Sequence, residues 1–205
     1  MKKMNLPNKL TLLRVLLVPF IIILPLLSYI DKENNFLNYS LYSSLTILDL
    51  IILIIFCVAS FTDYLDGHIA RKYNLVTDFG KFLDPLADKI LVVTTMIYIL
   101  VSNKYEGIIN IIFGACIALV VAREFAISGL RMIAATKNKV IAASKWGKVK
   151  TVSQMVMIIV MLINNLPFSL INVPLDLVLL CASTALTIIS GVDYFIKNKG
   201  VISTM

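Results

Sequence analysis

The sequence predicts an all-α integral membrane protein with six transmembrane helices. Of its 205 residues, 59% are hydrophobic and only 15% are charged, whereas soluble domains have about 45–50% apolar and about 25% charged residues. Long apolar stretches recur along the whole chain, and most basic residues lie near the chain termini or near the ends of these stretches on one predicted side. We see no repeat and no linker, so we expect residues 1–205 to form a single membrane domain.

Six apolar stretches are long enough to cross a bilayer, for which about 20 helical residues are needed. The predicted spans lie near residues 12–30, 44–62, 84–102, 108–128, 149–165 and 170–195. The fifth is expected to be the shortest, because the sequence INNLP ends it early. The first is too long for the core of a signal peptide and is expected to be retained.

The basic residues predict the orientation of the spans. Six spans place both termini on one side, together with seventeen of the nineteen Lys and Arg residues, and leave only Lys32 and Lys104 on the other. By the positive-inside rule, we expect a multi-pass protein of the cell membrane with both termini on the cytoplasmic side. The same charge suits membrane lipids or a phosphorylated substrate. Nucleic acid is not expected as a partner, because the basic residues are scattered over short loops.

Acidic residues concentrate between the second and third predicted spans. Residues 61–90, FTDYLDGHIARKYNLVTDFGKFLDPLADKI, hold five of the twelve acidic residues of the chain. At helical spacing, Asp63 and Asp66 share a face at the end of one span, and Asp84 and Asp88 share a face at the start of the next. If the two helices lie side by side, four carboxylates converge.

Converging carboxylates repel one another and are costly near a bilayer, so a positive charge is expected among them. An all-oxygen ligand set favours Mg²⁺ or Mn²⁺. Four carboxylates could hold two such ions about 3.5–4 Å apart, as in sites that catalyse phosphoryl displacement. The alternative is a group of ordinary loop charges, which the depth of these residues at the membrane disfavours.

The pattern DxxDGxxAR, eight residues, then GxxxDxxxD resembles the signature of the CDP-alcohol phosphatidyltransferases. This resemblance implies a six-helix membrane enzyme that joins a CDP-linked lipid to an alcohol at its cytoplasmic side and releases CMP. It implies that Asp63, Asp66, Asp84 and Asp88 hold two Mg²⁺ or Mn²⁺ ions, with Asp88 also the general base. It also implies that CDP-diacylglycerol is bound by Pro7, Asn8, Thr11, Asp66, Gly67, Ala70, Arg71 and Thr77.

Three further segments narrow the choice of acceptor alcohol. NLPNKLTLLR at 5–14, AREFAISGLR at 122–131 and WGKVKT at 146–151 resemble the bacterial phosphatidylglycerolphosphate synthases of that family. The resemblance implies transfer of the phosphatidyl group from CDP-diacylglycerol to sn-glycerol 3-phosphate, by a homodimer.

Basic residues at helix ends are suited to the phosphate of such an acceptor. The candidates are Arg123, Arg131, Lys148 and Lys150. Arg123 belongs to the fourth span and lies next to Glu124, which could orient it. The alternative is that these residues are headgroup anchors whose charges extend to the membrane surface.

Two other functions remain open. Another member of the family would use an inositol phosphate, cardiolipin-type or serine-type acceptor. An ion transporter would also carry carboxylates within its spans, but near mid-membrane and beside broken helices. Here the carboxylates lie at helix ends on one side, which favours chemistry at the membrane surface.

Overall fold

The computed structural model describes residues 5–30, 36–42, 45–73, 78–102, 104–136 and 144–199; within these ranges it leaves undescribed the side chains of residues 64, 71, 78, 79, 81, 82, 135 and 136. The six long helices are α1 (Leu6–Ile30), α2 (Ile47–Lys72), α3 (Asp78–Val101), α4 (Gly107–Thr136), α5 (Lys145–Leu162) and α6 (Leu175–Lys197). Single 3₁₀ turns lie at Phe36–Asn38 and Phe168–Ile171.

The protein is an all-α membrane protein, as predicted, and each predicted span falls largely within one of the six helices. Among the described residues, α1, α2, α4 and α6 are long and apolar enough to cross a membrane. Helix α5 is the shortest of the six and begins with three lysines within six residues, and α3 begins with Asp and Lys residues. These charges lower the hydropathy of α3 and α5.

A small antiparallel hairpin, which the sequence analysis did not predict, precedes α2. It pairs β1 (Ser40–Tyr42) with β2 (Leu45–Thr46). Thr46 then caps α2: its hydroxyl accepts a hydrogen bond from the Asp49 backbone, and the Asp49 side chain accepts one from the Thr46 backbone. This reciprocal capping box satisfies backbone donors that would otherwise lack partners.

Asp49 also ties α2 to α3 and to the loop that follows α3. Its buried carboxylate accepts a hydrogen bond from the Tyr98 hydroxyl at 2.7 Å and lies 3.0 Å from the Lys104 ammonium group. Lys104 donates a further bond to the carbonyl of Leu162. Burial lowers the pKa of Lys104, and the Asp49 carboxylate opposes part of that shift.

The chain divides into two compact units. The first comprises residues 1–104 and 162–164, and the second comprises residues 105–161 and 165–205. Each unit has a helical core of its own, and the single domain over residues 1–205 stays a prediction.

In the first unit, α1 packs against α2 and α3. The apolar side chains of Ile21, Ile52, Phe56, Leu91 and Ile99 are almost completely buried there.

In the second unit, α4 packs against α6, with Ile127, Leu130 and Tyr194 in a buried cluster. Helix α5 contacts α6 through buried polar groups, where the Ser183 hydroxyl donates to the sulfur of Met157.

Candidate active site

Arg14 lies at the centre of the acidic site in the first unit. Its side chain is fully buried, and the guanidinium Nη1 lies 2.8 Å from Asp63 Oδ1. Nη2 donates a hydrogen bond of 2.8 Å to Asp66 Oδ2. Nε donates to the backbone carbonyl of Ala59 at 3.2 Å. The arginine of α1 therefore joins Asp63 and Asp66 of α2.

Thr11, one turn before Arg14, extends the site to α3. Its Oγ1 lies 2.6 Å from Asp84 Oδ1, and 3.2 Å from both Asp66 Oδ2 and the carbonyl of Pro7. A hydroxyl has one hydrogen to donate, and the shortest distance marks Asp84 as its principal acceptor. A single side chain of α1 thus contacts a carboxylate from each of the other two helices.

The structure brings Asp63, Asp66 and Asp84 together around α1, whereas the sequence predicted four converging carboxylates if the two helices lay side by side. Asp88 is half-buried one turn beyond Asp84 on α3. Arg14 was predicted only as one of the basic residues on the cytoplasmic side, and its contacts with the carboxylates were not predicted. The available signal was an arginine within an apolar helix, since such a charge needs a partner.

The oxygen-only donor set fits a hard divalent cation such as Mg²⁺. Within the described part of the chain, however, no three His, Cys, Asp or Glu side chains are arranged around a common point that could hold a metal ion. The positive charge placed among the described carboxylates is the Arg14 guanidinium. The chemistry of the donors therefore suits a metal, while their present arrangement suits an arginine.

The residues predicted to bind the cytidine diphosphate group follow the same helices. Pro7, Asn8 and Thr11 are buried on the first two turns of α1. Gly67 and Ala70 are half-buried on α2, in the turn after Asp66. The side chain of Arg71 and all of Thr77 lie outside the described residues, so their assignments stay predictions.

A second charged cluster lies in the second unit, centred on Glu124 of α4. Its Oε1 accepts hydrogen bonds from Arg123 Nη1 at 2.7 Å and from Lys150 Nζ at 2.5 Å. Arg123 Nη2 donates to the Ser190 hydroxyl at 2.8 Å, while Arg123 Nε is buried with no hydrogen-bond partner among the described residues. Two cations share one carboxylate, so this group of charges is net positive.

Gly191 of α6 makes room for Arg123. A methyl group added at Gly191 would lie 3.3 Å from Arg123 Cγ and 3.9 Å from its Nε. The absence of a side chain therefore allows the arginine to pack closely against α6. The sequence analysis did not identify Ser190 or Gly191, because only the packing of α4 on α6 places them beside Arg123.

The other two predicted phosphate ligands have different surroundings. Arg131 Nε donates to the Tyr194 hydroxyl at 3.0 Å, and its guanidinium carbon lies 5.5 Å from the centre of the Tyr194 ring. Lys148 is exposed. The structure thus places Arg123 and Lys150 on one carboxylate, and Arg131 against an aromatic side chain.

The sequence of this chain matches the CDP-alcohol phosphatidyltransferase family over residues 4–189. It is 39% identical over 200 residues to the CDP-diacylglycerol–glycerol-3-phosphate 3-phosphatidyltransferase of Bacillus subtilis (strain 168), covering 98% of each chain. A protein of the same name from Rickettsia typhi is 38% identical over 93% of this chain and 95% of its own. Another from Salmonella typhimurium is 38% identical over 74% of this chain and 73% of its own.

Proposed function

Because this chain belongs to the CDP-alcohol phosphatidyltransferase family, we propose that it transfers the phosphatidyl group of CDP-diacylglycerol to sn-glycerol 3-phosphate. The products are phosphatidylglycerol phosphate and CMP, and the reaction is a step of phospholipid synthesis. The near-complete coverage of a relative named for this reaction carries the proposal. The convergence of Asp63 and Asp66 with Asp84 around α1 supports it from the geometry.

The reaction needs a base, because a protonated hydroxyl is a poor nucleophile. Asp88 accepts the proton of the 1-hydroxyl of glycerol 3-phosphate. The resulting oxygen forms a bond to the β-phosphorus of CDP-diacylglycerol, and the bond between that phosphorus and the bridging oxygen breaks. CMP leaves with the electron pair of the broken bond.

Asp63, Asp66, Asp84 and Asp88 are the residues that would hold two Mg²⁺ or Mn²⁺ ions. Such ions, when bound, neutralise charge on the diphosphate. Pro7, Asn8 and Thr11 of α1, with Asp66, Gly67, Ala70, Arg71 and Thr77, bind the cytidine diphosphate group.

The phosphate of the acceptor is bound by Arg123 and Lys150, with Arg131 and Lys148 as further cations. Arg123 Nε supports this assignment, since it is a buried donor that has no partner among the described residues and could donate to a phosphate oxygen. Glu124 keeps the arginine and the lysine together, so their side chains lose little conformational freedom when the acceptor binds.

The membrane arrangement completes the proposal. All six helices span the cell membrane, both termini and the active site face the cytoplasm, and residues 1–205 act as one domain. The seventeen basic residues predicted on the side of the two termini support this orientation. The acyl chains of the substrate lie among membrane lipids, and the enzyme is a homodimer.

A comparison of acceptors in parallel reactions tests the proposal. Purified protein is incubated with CDP-diacylglycerol, Mg²⁺ and radiolabelled glycerol 3-phosphate, and in parallel with inositol phosphate, phosphatidylglycerol or serine. We expect labelled phosphatidylglycerol phosphate and an equimolar amount of CMP with glycerol 3-phosphate alone. Faster CMP release with any other acceptor would overturn the assignment of the acceptor while leaving the transferase chemistry in place.

A further inference from the structure

We propose that Arg14 is the resident counter-cation of the carboxylate cluster and that its ion pairs compete with a divalent cation for Asp63 and Asp66. Divalent-cation binding and the Arg14 ion pairs are then energetically coupled. The inference rests on the proposed function only in taking a divalent cation as the ligand of these carboxylates.

The Arg14 guanidinium is buried in this cluster, where Nη2 donates a hydrogen bond to Asp66 and Nη1 lies 2.8 Å from Asp63 Oδ1. Its side chain has no exposed surface, and the side chain of Asp66 is only 3% exposed. Buried charges are retained only where they are paired and hydrogen-bonded.

Arg14 contacts two of the carboxylates that are proposed to hold a metal ion. Asp63 Oδ1 and Asp66 Oδ2 each lie 2.8 Å from a guanidinium nitrogen. A divalent cation held by the same two carboxylates would lie within a few ångströms of the Arg14 guanidinium. Two positive charges a few ångströms apart also repel strongly where little water screens them.

One contact of Arg14 does not depend on the carboxylates. Nε donates to the backbone carbonyl of Ala59 on α2. Arg14 therefore keeps an anchor when Asp63 and Asp66 turn towards a cation, so an exchange of counter-charge need not displace the whole side chain.

Coupling of this kind is reciprocal. If a divalent cation weakens the Arg14 ion pairs, then Arg14 weakens the binding of the cation by the same factor. Removal of the guanidinium should therefore strengthen metal binding and destabilise the metal-free protein. If Arg14 were merely structural, its removal would destabilise the protein equally with and without metal.

The test measures Mn²⁺ binding without substrates, from the electron paramagnetic resonance signal of free Mn²⁺. Wild type, Arg14→Gln and Arg14→Lys are compared, with Lys9→Gln as the control because Lys9 is an exposed cation on the same helix. We expect Arg14→Gln to lower the Kd for Mn²⁺ at least tenfold. Arg14→Lys should lower it less, because a lysine keeps the charge but lacks the planar fork. Lys9→Gln should leave it within about twofold of wild type, since exposed charges are strongly screened.

Thermal unfolding of the same proteins supplies the second readout. We expect Mn²⁺ to raise the Tm of Arg14→Gln more than that of wild type, since tighter binding to the folded state stabilises it more. Equal or weaker Mn²⁺ binding by Arg14→Gln would overturn the inference, as would the absence of Mn²⁺ binding from every variant. If Arg14→Gln does not fold, the inference is overturned when Arg14→Lys binds Mn²⁺ no more tightly than wild type.

These measurements separate the two proposals. The expected order of Mn²⁺ affinities in a protein that does not use glycerol 3-phosphate would support the role of Arg14 and contradict the proposed acceptor. If the wild type uses glycerol 3-phosphate but Arg14→Gln binds Mn²⁺ no more tightly than wild type, the proposed acceptor is supported and the role of Arg14 is contradicted.

Discussion

Lys150 and Glu124 form a salt bridge between α5 and α4, with 2.5 Å between Nζ and Oε1 and most of both side chains buried. Arg123 contacts the same carboxylate oxygen at 2.7 Å. One cation is enough to neutralise the Glu124 carboxylate, and here two cations contact it. Among the described residues, this arrangement of two cations on one carboxylate is consistent with the proposed binding of a phosphate.

Replacing either cation should therefore weaken the binding of glycerol 3-phosphate. A charge-assisted hydrogen bond is worth roughly 1.5–3 kcal/mol, so we expect Arg123→Gln and Lys150→Gln each to raise the KM for this substrate about 10- to 150-fold. The KM for CDP-diacylglycerol should stay nearly unchanged. Steady-state kinetics with each substrate varied in turn measure both constants.

Lys148→Gln is the matched comparison, since Lys148 lies on the same helix as Lys150 but is exposed. An exposed charge contributes less to binding, so a smaller rise in KM is expected. Unaltered KM for glycerol 3-phosphate in both Arg123→Gln and Lys150→Gln would remove these two residues from the acceptor site.

Gly191→Ala should impair the same substrate without changing any charge. Its new methyl group would lie 3.3 Å from Arg123 Cγ, so the arginine must shift by a few tenths of an ångström. We expect a rise in the KM for glycerol 3-phosphate of about tenfold or less, because a displaced hydrogen bond loses part of its roughly 1.5–3 kcal/mol. The control is Gly129→Ala on α4, where a methyl group meets nothing within 4 Å. Similar kinetics for the two variants would show that the position of Arg123 does not matter.

Asp88→Asn should abolish turnover while CDP-diacylglycerol still binds, because the amide keeps the shape of the side chain and loses its basicity. General-base catalysis contributes typically 10²- to 10⁴-fold, so a residual rate below about one hundredth of wild type is expected. Asp193→Asn on α6, which removes an exposed pairing with Lys197, controls for the chemical change. A rate above about a tenth of wild type would require another base.

Activity should require a divalent cation. The carboxylates and the diphosphate are both negatively charged, and a set of oxygen ligands favours a divalent cation between them. We expect exhaustive chelation to stop CMP release, and Mg²⁺ or Mn²⁺ added in excess over the chelator to restore it. Full turnover in the chelated enzyme would contradict the metal-dependent mechanism.

Lys104 should make stability depend on pH. Burial lowers the pKa of Lys104 from its ordinary value of 10.5, so the folded protein binds this proton less tightly than the unfolded chain does. The free energy of unfolding should then rise as the pH increases from the lowered pKa towards 10.5. Comparing the Tm of wild type and Lys104→Met across this interval isolates the effect. Parallel curves for the two proteins would contradict it.

Local chemistry in the sequence determined much of this protein. Apolar composition and span length predict membrane helices because a bilayer accepts a backbone only when its polar groups are satisfied within the segment. The spacing of Asp63 with Asp66, and of Asp84 with Asp88, predicts shared helix faces because side chains three and four residues apart point the same way. The family signature rests on these same positions.

Only the tertiary structure decided which charges meet. Arg14 precedes Asp63 and Asp66 by about fifty residues, and Ser190 follows Arg123 by more than sixty, so no periodicity within one helix relates them. Their contacts depend on how α1 packs against α2 and how α4 packs against α6. The sequence predicted that the carboxylates need a positive charge, because buried like charges repel. Helix packing supplied that charge from the side chain of Arg14.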